Sequence, residues 1–111
     1  MVDPYVDALQ KRGYQLVKHI RNKLNISIKL VYSKPSPDAD GQTVCIREII
    51  IVYWNRCDWN WLRELIVHEC AHRLDHKYRG PIHHRPEYEH DENYWRCYKD
   101  VLDIAKKSDI W

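Results

Sequence analysis

Two imidazoles and a carboxylate stand close together in the run Val67-His68-Glu69-Cys70-Ala71-His72. Spaced four apart, His68 and His72 fall one turn from each other on a helix, with Cβ atoms about 6 Å apart, so both rings can reach one ion. Glu69 lies about 100° around the helix from His68, which lets its carboxylate act on a water beside the ion instead of binding the ion itself. The chemistry on offer is hydrolysis at a zinc ion, with His68 and His72 as ligands and Glu69 as the base. Polar residues on an exposed helix edge could show the same letters. Here Leu65-Ile66-Val67 and Cys70-Ala71 imply a mostly buried turn, where an unpaired carboxylate costs several kcal/mol unless a cation or hydrogen bond compensates.

A catalytic zinc takes three protein ligands and keeps one position for water, so a third donor is needed. His76 shares the helical face, but its Cα lies about 12 Å along the axis from that of His68, too far to share the ion with both. It reads as a surface histidine. The metzincin spacing fails because Asp75 and Tyr78 occupy the positions of its glycine and third histidine. His83, His84, Glu87, Glu89, His90 and Glu92 remain. Of these, His90 leads, because it precedes a helix whose aromatic stripe can fix its position. His83 and His84 sit beside Pro81 and Pro86 and read as solvated loop histidines.

The elements that must place these residues follow from periodicity. From Asp3 to about Leu24 the apolar residues Tyr5, Leu9, Leu16, Ile20 and Leu24 recur at helical steps, with Asp3 as N-cap and Pro4 at the first helical position. Gly13 weakens that helix by roughly 1 kcal/mol relative to alanine. Its outer face carries Lys11, Arg12, Lys18, Arg21 and Lys23, a possible DNA contact or simply a solvated face. Ile26 to Tyr32 alternates as a strand should, and Ser33 to Gln42, with two prolines and Asp38-Ala-Asp40-Gly41, is a loop. Thr43 to Trp54 is one long strand or two short ones broken near Arg47-Glu48, and the run Ile49 to Val52 suits a central strand covered on both faces.

A helix from Trp61 to about Arg79, capped by Asp58 or Asn60 and closed at Gly80-Pro81, is apolar around most of its circumference and belongs in the interior. The last helix runs from about Asp91 to Lys107, with Tyr94, Tyr98, Val101, Leu102 and Ala105 as its buried stripe and Tyr94 and Trp95 as packing residues. The expected fold is therefore α+β: an N-terminal helix, a small sheet, the helix carrying the histidine motif and a C-terminal helix.

With 111 residues, 44% apolar and 31% charged, the chain is expected to form one domain over residues 1–111. Eighteen basic against sixteen acidic residues leave +2, which excludes a strongly cationic mode of nucleic-acid binding. The sequence shows neither a membrane span nor a secretory signal, so a cytoplasmic, nuclear or nucleoid-associated protein is expected, not a secreted one. Cys45, Cys57, Cys70 and Cys97 form no C-x-x-C pair and read as buried or idle thiols.

The string His68-Glu69-Cys-Ala-His72, a variable loop, then His90-Asp91-x-x-Tyr94-Trp95 leading into a helix resembles the SprT-like metallopeptidases and the related WLM group. The similarity covers about Thr43 to Leu102. The loop of 17 residues between His72 and His90 is longer than in WLM proteins and within the style of SprT proteins, and no zinc-ribbon pattern follows the core. The resemblance implies a minimal zincin-like domain in which His90 is the third zinc ligand. It also implies a monomeric Zn2+-dependent protease acting on protein or peptide substrates, including DNA-associated or DNA-crosslinked proteins. A non-catalytic, zinc-stabilised binding module closed by His83, His84 or Glu89 is the competing expectation.

Overall fold

Helix α1 spans Pro4–Leu24 and begins where the Asp3 carboxylate accepts the Tyr5 N–H at 2.8 Å. The computed structural model of the chain describes residues 3–111. Strands β1 (Lys29–Ser33), β2 (Gly41–Val44) and β3 (Ile49–Tyr53) follow, then helices α2 (Trp59–Arg79) and α3 (Glu92–Lys106). The architecture is α+β, with the sheet ordered β1-β3-β2, β1 parallel to β3 and β2 antiparallel to it.

Between β2 and β3 the chain makes a 3-10 turn at Cys45–Arg47 that ends in the left-handed residue Glu48. The apolar stretch from Thr43 to Trp54 is thus two strands, broken where the charged pair interrupts it. Ile26 and Ile28 are buried without belonging to a strand, and pairing starts only at Lys29, opposite Ile49. Along β3, Ile50 and Val52 are fully buried, whereas Ile49 and Ile51 are half-buried. Ile49 to Val52 is therefore the central strand, as expected, but it is fully covered on one face only.

The helices close that face. Leu16 and Ile20 of α1, Leu62 and Ile66 of α2, and Tyr94 and Val101 of α3 meet Ile50 and Val52 in one core. Helix α2 lies between the sheet, α1 and α3, which accounts for its apolar residues pointing in almost every direction. Tyr5, in contrast, is 59% exposed, and Val17 is buried beside Leu16 and Ile20. Arg12 also leaves the basic face: it donates to the Ile110 carbonyl at 2.7 and 3.0 Å and stacks 4.2 Å over the Trp59 ring. No helix among the described residues is long and apolar enough to cross a membrane.

Two glycines let backbones meet closely or turn sharply. Gly80 has φ +65° and ψ −151°, a conformation open essentially to glycine alone, and it turns the chain out of α2 into a 3-10 turn at Gly80–His84. Gly13 is buried where α1 crosses the sheet; a Cβ there would run into the Tyr32 hydroxyl, which donates to the Gln10 carbonyl at 2.7 Å, and would press on Leu62. Gly13→Ala should therefore destabilise the fold by about 1–3 kcal/mol through overpacking, despite the gain of about 1 kcal/mol in helix propensity. Urea unfolding reads the sign directly, and a more stable variant would show that the contact is slack.

Candidate metal centre

His68 and His72 project from successive turns of α2, and His90 precedes Asp91, the residue that caps α3 by accepting the Tyr94 N–H at 3.2 Å. One ring nitrogen from each of the three lies within 4.8 Å of the others, and His72 Nε2 stands 3.1 Å from His90 Nε2. Two nitrogens held at about 2.0–2.1 Å by a tetrahedral ion are about 3.3 Å apart, so this set of donors fits one shared metal ion. Glu69 lies beside them, only 4% exposed, and its Oε2 has no hydrogen-bond partner. The four side chains face a cleft of about 300 Å3 whose opposite wall is Gly41, Gln42 and Thr43 of β2.

Glu69 is held close to β2 by two features. The Thr43 hydroxyl donates to the Glu69 carbonyl at 3.0 Å, and Gly41 approaches so near that a Cβ there would sit 3.3 Å from Glu69 Cγ and 3.0 Å from a Leu65 methyl. A second hollow of about 460 Å3, lined by Asp40, Trp61, Glu64 and Tyr98, continues from His68 and Glu69 along α2. His68 and Glu69 thus lie part-way along a groove.

Each imidazole is oriented from behind. The Tyr94 hydroxyl lies 3.0 Å from His68 Nδ1 and 3.1 Å from the His68 carbonyl oxygen. Both contacts are satisfied when Nδ1–H donates to the phenol oxygen and the phenol donates to the carbonyl, which leaves Nε2 with a free lone pair. His72 Nδ1 is 3.1 Å from Nε2 of His83, a residue only 1% exposed, and His83 Nδ1 is in turn 2.7 Å from Asp75 Oδ2. That last contact is bent away from good hydrogen-bond geometry and acts as an electrostatic restraint.

Arg79 fastens the far end of this relay. It donates to both Asp75 oxygens at 2.5 and 2.7 Å, to both Asp91 oxygens at 2.7 and 3.0 Å, and to the Tyr88 carbonyl at 2.8 Å. Asp75 backs His72 through His83, and Asp91 neighbours His90. One guanidinium therefore joins the surroundings of two imidazoles, His72 on α2 and His90 just before α3.

Burial favours neutral rings. It lowers the pKa of His68, helped by nearby His90, and lowers that of His72 to about 3, helped by His68, His83 and His90. His83 is also pushed down by burial, in spite of Asp75. Rings that stay deprotonated near neutral pH keep their lone pairs free for a metal. Burial pushes the Glu69 carboxyl the other way, up to about 7.

The structure brings together His68, Glu69, His72 and His90 and leaves His84 and Glu89 on the cleft wall, outside the three-imidazole group. His83 is corrected from solvated loop residue to buried support, and Trp95 from packing residue to a half-exposed ring 6.3 Å from His90. His76 does not join the motif pair, as its axial distance requires, but it is not idle on the surface either: it groups with Cys45 and His84. The supporting roles of Asp75, Arg79, His83 and the Tyr94 hydroxyl were missed in the sequence. The available signals were the helical spacing of Asp75 and Arg79 and a glycine-proline turn that folds His83 back.

No protein-family model, curated protein or solved structure matches the chain.

In the metal-free chain Glu69 carries a penalty that grows with pH. Its folded-state pKa of about 7 lies above the ordinary carboxylate value, so the cost is absent below about pH 4 and complete above pH 7. Metal-free Glu69→Gln should be more stable than the native chain by about 3 kcal/mol at pH 8, with the gain falling below about 1 kcal/mol at pH 5. His72 titrates equally in both proteins and cancels from the difference. Equal denaturation midpoints at pH 8 would mean that Glu69 is solvated or otherwise paired.

Proposed function

We propose that this chain is a zinc-dependent peptide hydrolase of the SprT-like type. The observation that carries the reading is the buried Glu69 carboxylate, whose Oε2 has no hydrogen-bond partner, standing beside three imidazole donors within reach of one ion. When held by His68, His72 and His90, a zinc ion supplies a charge that polarises a scissile carbonyl and acidifies water. Glu69 takes the proton of the attacking water and delivers it to the leaving amine. Tyr94 and the Asp75–His83 pair hold the ligand rings so that no reorientation is needed.

Strand β2 provides a way to hold substrate. It is an edge strand, paired with β3 on one side only, and Gly41, Gln42 and Thr43 line the cleft. An extended peptide laid along that edge gains main-chain hydrogen bonds irrespective of its sequence, which favours protein substrates with local disorder over folded ones. DNA-associated or DNA-crosslinked proteins are the narrower substrate class. That choice rests on the family resemblance and on the exposed Lys18 and Lys23 of α1. A closed structural zinc site is less favoured, because none of His83, His84 and Glu89 joins the three-imidazole group. Four free thiols suit a reducing compartment, cytoplasmic or nuclear.

Glu69→Gln should keep its zinc and lose about 10²–10⁴-fold in cleavage of an unfolded protein substrate, with or without single-stranded DNA. A chelator should abolish activity in the native chain, and Zn2+ should restore it. Undiminished cleavage by Glu69→Gln with retained zinc removes the reading. For the relay, His83→Ala should weaken zinc binding by about 10–100-fold, measured by competition with a chromogenic chelator. Unchanged affinity would reduce His83 to a packing residue.

A further inference from the structure

One turn of α2 beyond His72, a second group of donors meets. Cys45 comes from the 3-10 turn after β2, His76 from α2 and His84 from the end of the turn Gly80–His84. The Cys45 sulfur and a ring nitrogen of each histidine lie within 4.8 Å of one another, and the two rings are 5.3 Å apart between centroids. All three line a cavity of about 500 Å3, with Val44, Ile46 and Pro81 among the other walls. Cys45 is only 5% exposed, and its thiol makes a weak 4.0 Å approach to the His72 carbonyl.

We propose that Cys45, His76 and His84 form a second metal-ion site, for ions that accept a thiolate together with imidazole nitrogens. One sulfur and two nitrogens suit Zn2+ or Cu+, while Mg2+ and Ca2+ demand oxygen donors that this triad does not offer. His84 is exposed and His76 half-buried, so the ion keeps contact with solvent and exchanges readily. Binding displaces the thiol proton of Cys45 to solvent.

The site shares no side chain with the three-imidazole group, yet it adjoins it. His84 lies on the wall of both cavities, and its neighbour His83 is the residue that backs His72. An ion here therefore pins the turn Gly80–His84 to α2 and to the turn that follows β2. Slower hydrogen exchange in that turn is the expected structural consequence.

Cobalt titration of the metal-free full chain tests the proposal, in a Cys57→Ser background that removes the one exposed thiol. Two equivalents should bind, and one of them should show a sulfur-to-cobalt charge-transfer band, because the first site contains no thiol. Cys45→Ser and His84→Ala should each lose the band and that equivalent while retaining the other, and neither should show slowed exchange in Gly80–His84. His84 is exposed, so His84→Ala remains informative if Cys45→Ser folds poorly. A single equivalent that carries the band and vanishes in His84→Ala supports this site and counts against the three-imidazole one. A single equivalent without the band, or a band that survives His84→Ala, overturns the proposal.

Discussion

His72 has both ring nitrogens committed, one toward His90 and one toward His83, and the geometry of the cleft depends on that double commitment. An imidazole on a helix can rotate about two bonds. Here rotation would strand His83, which is buried to 1% exposure against a carboxylate that is equally buried. Leaving such groups unpaired in a low-dielectric interior costs more than a single hydrogen bond returns, so the relay behaves as a unit. The direction of the His72 lone pair is thereby set by Asp75, three residues further along the same helix.

That dependence explains why a charged cluster persists inside so small a molecule. Asp75 would be costly alone, and Arg79 offsets it with a two-pronged contact on the same helix. The second pair of contacts from Arg79 reaches Asp91, whose other task is to cap α3. Helix start, imidazole orientation and interhelical docking are thus coupled through one guanidinium. Glu69 has no such cation beside it, and its Oε2 is left without a hydrogen-bond partner.

Much of this was readable in the residues. Helix α2 was legible because apolar residues surround it, and the start of α1 because Asp3 is a cap whose carboxylate has a backbone N–H group to accept. His68, Glu69 and His72 were legible because helical spacing alone places them together. His83 was not: its distance in sequence from His72 says nothing, and its burial depends on the unusual backbone of Gly80, which a sequence does not display. The same holds for Cys45. It follows strand residues and looks like one, until the left-handed Glu48 shows that the chain has turned there. Gly13 reads as a helix weakness from propensity, whereas in the fold it makes room for Tyr32. Local pattern reports what a segment prefers, and these three positions are decided by what approaches from elsewhere.

The residues that follow α3 are anchored far from the cleft. The Trp111 carbonyl accepts from Trp59 Nε1 at 3.2 Å and from Arg63 at 2.6 Å, while Arg12 holds Ile110. Together with the Arg79 contacts at its start, α3 is moored at both ends. The half-exposed Trp95 ring near His90 therefore sits on a helix tied down before and after it.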